Sequence, residues 1–208
     1  MSRQQILYFV KYPEPGKVKT RLAQSVGFEE AARWYRTLAE SNLSILARLP
    51  QPEFHITVTF DPPEAEDAMK EWFSGEHEYL PQAGEDLGER LANAFASVFH
   101  RGAQKVLALG SDTMGLEESH IQDAFRHLDA RDVVLGPAKD GGYYLIGLSR
   151  PRPLIFKEIP WSTPAVFETT LARIEELDLS CFLLPRLDDL DDAENIPALL
   201  GKTRGHLS

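Results

Sequence analysis

The sequence predicts an α/β fold, a three-layer sandwich in which helices cover both faces of a mixed, mainly parallel sheet. Three observations predict it. Apolar, β-rich runs alternate with helix-period segments along most of the chain, the order that builds βαβ units. The first run, Ile6-Leu7-Tyr8-Phe9-Val10, is apolar throughout, as a strand buried on both faces requires. Two later runs, Val133–Leu135 and Tyr143–Leu148, are separated only by a short segment containing Asp140-Gly141-Gly142. That is too short for a crossover helix, so one antiparallel hairpin is expected in an otherwise parallel sheet.

The first strand, Ile6–Val10, is followed by Gly16 in a loop with Pro13 and Pro15. An amphipathic helix then covers about Phe28 to Leu49, with Ala31, Tyr35, Leu38, Ile45 and Leu49 recurring on one face. Phe54–Phe60 is the next strand, ended by Asp61-Pro62-Pro63. Asp86 opens a helix, with Glu89 at the capping-box spacing and Leu87, Leu91, Phe95 and Val98 as its apolar face. A third strand, Val106–Leu109, precedes a helix over about Glu117–Leu128, and the hairpin follows. A helix near Pro164–Leu177 leads to a strand at Phe182–Leu184 and then to an acidic run over 188–194. No repeat or linker divides the chain, so residues 1–208 read as one domain with a polar tail after Leu200.

Composition excludes several classes. Of the 208 residues 43% are hydrophobic and 26% charged, which excludes a disordered or fibrous chain. The formal charge of −10 repels nucleic-acid backbones and anionic membranes, so neither is expected as a partner. The single cysteine, Cys181, excludes a disulfide framework and a multi-cysteine metal site. The apolar run at the N-terminus has five residues before Lys11, too few for a signal peptide or a membrane span, and a cytoplasmic location is expected.

In open α/β sheets ligands bind beyond the carboxyl ends of the strands, where the strand order reverses. After the first strand come Lys11, Gly16, Lys17, Lys19 and Arg21, giving a local charge of +3 once Glu14 is included. A glycine-containing loop entering a helix, dressed with cations, suits a phosphate; a solvated basic turn is the alternative. The third strand runs into Gly110-Ser111-Asp112, where the carboxylate is placed either to hold Mg²⁺ on a diphosphate or to cap the next turn. The run Asp188-Asp189-Leu190-Asp191-Asp192-Ala193-Glu194 either contributes a second metal carboxylate or is a solvated helix start. Asp140, before two glycines, either faces a substrate as hydrogen-bond partner or general base, or closes a hairpin turn. Trp161 either stacks on a base or sugar or anchors a loop.

Other signatures are missing. Ile196 stands where a P-loop ending at Gly201-Lys202-Thr203 needs its first glycine, and neither a dinucleotide fingerprint nor a nucleophile elbow occurs. The six histidines lack metal-ligand spacing, with His120 and His127 expected at the surface, and Cys181 reads as packing rather than a nucleophile.

Five segments together resemble the DUF2064 family. They are Lys11–Leu22, Gly84–Arg90, Gly110–Asp112, Gly136–Tyr144 and Trp161–Thr163, in that order, and the resemblance spans about Ile6 to Ile196. Members of that family are bacterial proteins described as glycosyltransferases with the GT-A, nucleotide-diphospho-sugar transferase fold. Lys19-Thr20-Arg21-Leu22 and Asp140-Gly141-Gly142 also resemble phospholactate guanylyltransferases of the same fold. Two positions depart from the family pattern, with Met114 in place of a proline and Asp192 in place of a threonine.

The resemblance implies a GT-A-like domain, with Lys17, Lys19 and Arg21 on nucleotide phosphates and Lys11 and Gly16 in the same substrate-binding loop. It implies Asp112 and Asp191 as carboxylates for Mg²⁺ or Mn²⁺, with Asp189 and Asp192 the competing choices for the second. Asp140, as catalytic residue, together with Gly141 and Gly142 would face the sugar or acceptor. Arg90, which the capping box does not use, reads as a nucleotide contact, and Trp161 as a base or sugar contact or a loop anchor. The expected activity is metal-dependent transfer from a nucleotide-diphospho-sugar to a small-molecule acceptor. The alternatives are nucleotidyl transfer from a nucleoside triphosphate, and a nucleotide-binding module without catalysis.

Overall fold

Seven strands form one sheet in the order β3-β2-β1-β4-β7-β6-β8. These strands are β1 (Gln4–Lys11), β2 (Phe54–Asp61), β3 (Glu78–Pro81), β4 (Lys105–Gly110), β6 (Val133–Pro137), β7 (Tyr143–Leu148) and β8 (Cys181–Leu183). Every neighbouring pair is parallel except those made by β7, which runs against both β4 and β6. The expected hairpin is therefore present, and its second strand is the one inserted beside β4. A two-stranded antiparallel ribbon, β5 (Thr113–Met114) with β9 (Asp188–Asp189), lies past the end of β4. The helices are α1 (Thr20–Val26), α2 (Phe28–Ala47), α3 (Glu66–Trp72), α4 (Leu87–His100), α5 (Glu118–His127) and α6 (Val166–Glu176). The computed structural model describes residues 4–50, 53–75 and 77–190.

Strand pleating divides the core into two layers. In β1, Ile6, Tyr8 and Val10 pack beneath α2, α3 and α5, while Leu7 faces the opposite side with α4 and α6. The first layer is completed by Leu46, Met69 and Phe125, the second by Phe95, Phe167 and Ile174. Burial of both faces explains the unbroken apolar run of β1 and confirms helices on both sides of the sheet. A third, smaller cluster joins Leu22 and Ala23 of α1 to Leu38 of α2 and to Leu190.

Several expectations change. The segment after Pro15 contains the seven-residue helix α1, and the stretch after Asp61 holds α3 and β3, none of them evident in the sequence. Leu87 is 43% exposed and belongs to the solvent face at the start of α4, not to its apolar face. Asp86 does cap α4, accepting from Glu89 N at 2.8 Å, and Glu89 reaches back to Glu85 N. The described start of the acidic run is the strand β9 rather than a helix start. Asp191 and Asp192 lie outside the described residues, as does the tail after Leu200. His120 is half-buried and accepts from Glu117 N in a capping box, and half-buried His127 stacks on Phe182, so neither is a plain surface residue. Burial pushes the Cys181 thiol up to about 11, which leaves little thiolate at neutral pH and agrees with a packing role.

Candidate active site

The strand order turns outward in both directions from the β1–β4 pair, and a cavity of about 490 Å³ opens at their carboxyl ends. Its wall is made by Phe9, Val10 and Lys11 at the end of β1, by Lys17 to Arg21, and by Gly110, Ser111 and Asp112 at the end of β4. Tyr35, Gln82, Leu87 and Ser162 complete it. Four cations, Lys11, Lys17, Lys19 and Arg21, thus line the same cavity as one carboxylate, Asp112, in a molecule whose formal charge is −10.

Asp112 is paired with Lys19, whose Nζ lies 2.6 Å from Oδ2. The Lys19 side chain is only 8% exposed, while that of Asp112 is 37% exposed and faces the opening. Lys19 precedes α1 in a left-handed conformation (φ 46°, ψ 47°), an uncommon backbone for a residue with a Cβ. Helix α2 fixes the floor. Its Tyr35 hydroxyl accepts from Lys11 N at 2.8 Å and pairs with Ser111 Oγ at 2.8 Å, tying the ends of β1 and β4 together. Two turns on, Asn42 Nδ2 donates to the carbonyls of Ser111 (3.0 Å) and Thr113 (2.8 Å), which flank Asp112. Burial, reinforced by the Asp112 carboxylate, raises the Tyr35 phenol far above its ordinary range, so it stays protonated and acts as a neutral bridge.

The β5–β9 ribbon holds the other side of Asp112. Leu190 N donates to Asp112 O (3.2 Å), and Thr113 pairs with Asp189. Lys139 forms an ion pair with Asp188, and Lys139 N donates to Leu187 O. The segments 112–114, 187–190 and 137–139 therefore run side by side, and the acidic run reaches Asp112 as far as Leu190.

The remaining sequence candidates are placed differently. Gly16 sits in an exposed turn. Asp140 is exposed and its Oδ1 accepts from Gly142 N at 2.8 Å, the turn-closing bond. Gly141 has φ +91°, and a Cβ there would lie 2.2 Å from Pro164 O, so backbone approach requires this glycine. Trp161 packs edge-on to Tyr143 and covers Gly88, where a Cβ would fall 2.6 Å from the indole Nε1. Arg90 lies 3.4 Å from Asp61, donates to Gly84 O, and approaches Gln82 Oε1 at 3.5 Å. It stands behind Gln82, whose amide donates to Thr59 O at 3.0 Å. Asp140, Gly141, Gly142, Arg90 and Trp161 are thus engaged in turns and packing, and the described cavity wall does not include them. The sequence reading missed Tyr35, Gln82, Leu87 and Ser162 as wall residues. Tyr35 reads in the sequence as an apolar-face position, Leu87 as one within the Gly84–Arg90 segment, and no local pattern singles out Gln82.

Residues 45–163 match the family described as uncharacterized proteins conserved in bacteria, DUF2064. The chain belongs to the DUF2064 family. It is 36% identical to a proposed nucleotide-diphospho-sugar transferase from Desulfovibrio desulfuricans G20, covering 100% of this chain and 90% of that one with a TM-score of 0.89. The fold is shared more distantly with 4-diphosphocytidyl-2C-methyl-D-erythritol synthase from Anaerococcus prevotii DSM 20548 (12% identity, 97% of both chains, TM-score 0.62). It is also shared with glucosyl-3-phosphoglycerate synthase from Mycobacterium tuberculosis, solved with Mn²⁺, UDP and glucosyl-3-phosphoglycerate (9% identity, 96% of this chain and 76% of that one, TM-score 0.58). The search of curated proteins finds no match. As a DUF2064 member the chain has the nucleotide-diphospho-sugar transferase type of fold, with its cavity at the β1–β4 switch point. No helix among the described residues is long and apolar enough to cross a membrane.

Proposed function

We propose that this protein is a cytoplasmic, nucleotide-utilising transferase that takes a nucleotide-diphospho-sugar and moves the sugar to a small-molecule acceptor. The observation that carries the reading is that Lys11, Lys17, Lys19, Arg21 and Asp112 line one cavity at the switch point, with Lys19 paired to Asp112. A diphosphate leaving group develops negative charge as its bond to the sugar breaks, and preorganised cations lower that cost. Lys17 and Arg21 line the mouth and bind phosphate oxygens, while Leu87 and Val18 supply apolar wall for a base or sugar face. Tyr35 and Asn42 hold the two strand ends in register so that the cations and Asp112 meet the same ligand.

Mg²⁺ or Mn²⁺ fits this donor set as a metal shared with phosphate. Asp112 offers one cavity-facing carboxylate, and no group of three His, Cys, Asp or Glu side chains capable of holding a metal by itself occurs among the described residues. Asp112 would hold it, with Asp191 as the second carboxylate, and when bound it supplies further neutralisation of the diphosphate. The description of the 36%-identical relative supports the sugar-donor reading, while the two distant fold neighbours span glycosyl and nucleotidyl chemistry.

A thermal-shift panel of nucleotide-sugars against nucleoside triphosphates, each with Mn²⁺, tests the reading. Stabilisation by nucleotide-sugars, lost in Asp112→Asn, is the expected result. Preference for triphosphates accompanied by pyrophosphate release overturns it in favour of nucleotidyl transfer. Stabilisation that survives chelation, without turnover of any donor, leaves a binding module.

A further inference from the structure

We propose that the opposite end of the sheet carries a second ligand site, a cleft in which Arg131 and Arg150 hold a phosphate dianion, free or as the monoester of a small molecule. Such a site is independent of the transferase reading. The cleft encloses about 360 Å³, within the range of about 300–1,000 Å³ usual for small-molecule sites. It lies where β4 and β6 begin and β7 ends, and its lining includes Lys105, Arg131, Asp132, Ser149, Arg150 and Ser180. Along β4, Lys105 at this cleft and Gly110 at the cavity of Asp112 are five strand steps apart, about 17 Å.

Backbone pairing brings the two arginines together. Val133 of β6 stands opposite Leu148 of β7, and the ladder continues with Ser149 N donating to Asp132 O at 3.0 Å. One further step of the same register sets Arg131 against Arg150. Like charges directly opposite on an antiparallel pair repel. Neither guanidinium has an ion-pair partner among the described residues, whereas eight other described arginines do. The acids of the cleft are committed elsewhere: Asp129 pairs with Lys105, and Asp132 accepts from Ser180 N and Oγ and pairs with Arg152. Two facing arginines without a carboxylate stand out in a chain whose formal charge is −10.

An anion bound between them relieves the repulsion. The guanidinium presents its N–H donors in a planar fork that meets a phosphate edge with two parallel bonds. A phosphomonoester carries about −1.5 to −2 charges at pH 7, which matches two guanidinium groups, while a lone carboxylate supplies only one charge. The cleft is larger than a phosphate ion, so an ester's organic part also finds room in it.

Titration of the isotope-labelled full chain with glycerol phosphate, followed through backbone amide shifts at constant ionic strength, tests the site. Saturable shifts at the amides of Ala130, Arg131, Asp132, Ser149 and Arg150 are the expected result. Arg131→Gln and Arg150→Gln should each weaken that binding at least about tenfold. Lys17→Ala, at the other end of the sheet, should leave these shifts in place. The absence of saturable shifts at those amides, or equal shifts with sodium chloride, overturns the proposal and leaves a solvated arginine pair. Unchanged affinity in either glutamine variant, or loss of the shifts in Lys17→Ala, also overturns it. Succinate bound as tightly as glycerol phosphate overturns the phosphate assignment in favour of a dicarboxylate. Inorganic phosphate separates the two sources that the proposal covers: affinity at least equal to that of glycerol phosphate assigns the cleft to the free ion, and weaker affinity assigns it to an ester. Should a glutamine variant fail to fold, Arg131→Lys or Arg150→Lys takes its place, keeping the charge and losing the fork. Weaker binding is again expected, and unchanged binding overturns the proposal.

Discussion

Asn42 spends its amide on two backbone carbonyls, those of Ser111 and Thr113, at a position only 2% exposed. Buried carbonyls deprived of a donor retain their desolvation cost, about 1–3 kcal/mol. Asn42→Ala is therefore expected to destabilise by about that amount, and in a chain of this size each kcal/mol lowers Tm by about 2–4 °C. A Tm within 1 °C of wild type, roughly the shift of a neutral surface change, would show that Asn42 is not what holds the Asp112 segment. At this scale the sequence was legible where charge stands out. Lys17, Lys19, Arg21 and Asp112 announced themselves as cations or a carboxylate just beyond strand ends, and the cavity gathers all four. Tyr35 and Asn42 were hidden because they share the face of α2 that also carries its core residues, and a polar atom reaching past that core leaves no periodic trace. Asp140 was ambiguous for a different reason, since the same Asp-Gly-Gly serves a turn or a ligand, and the bond to Gly142 N shows the turn.

Elements were legible in proportion to how much apolar surface they bury. β1 and β4 carry nearly continuous apolar runs, β2 alternates Phe54, Ile56, Val58 and Phe60 with polar residues, and α2, α4 and α5 each bury a regular stripe. By contrast α3 buries only Met69, α1 only Leu22 and Ala23, and β3 is a four-residue edge strand without a buried position, so none carries a readable period. The hairpin was legible from its spacing alone. What spacing did not reveal is how the far edge is tied. Asp132, before β6, accepts from Ser180 N and Ser180 Oγ ahead of β8 and pairs with Arg152 at 3.2 Å. These bonds, first the Ser180 hydroxyl and amide and then Arg152, hold the Asp132 carboxyl below its usual value. A depressed carboxyl contributes stability that is present above its unfolded pKa and is lost as pH falls through the lower folded value. Asp132→Ala should therefore cost about 1–2 kcal/mol at pH 7. The gap between variant and wild type should close only below the ordinary aspartate range, near pH 4. Urea unfolding at pH 7 and at pH 3 measures both, and a gap that stays constant with pH would show that Asp132 acts through packing.

For the whole molecule, charge is distributed against its own cavity. The formal charge is −10, yet the cavity wall gathers four cations around one carboxylate. An approaching anionic nucleotide meets these two fields at different ranges. At about 0.01 M ionic strength the screening length is about 30 Å, so the net negative charge of the entire protein repels the ligand before the cavity is felt. At about 0.1 M the length falls to about 10 Å, the distant acids are screened, and the nearby lysines and Arg21 still attract. At about 1 M it is about 3 Å, and even the cavity field fades. The association rate of a fluorescent nucleoside diphosphate should accordingly pass through a maximum near 0.1 M salt rather than fall monotonically, as it does for a protein attractive at every range. Lys17→Ala removes an exposed cation from the cavity wall and should lower the rate at the maximum while leaving the low-salt repulsion in place. Stopped-flow mixing across that salt range measures both curves. A steady fall from the lowest salt upward would mean that the acidic surface lies too far from the approach path to matter. A flat curve would mean that the lysines and Arg21 do not guide the ligand at all.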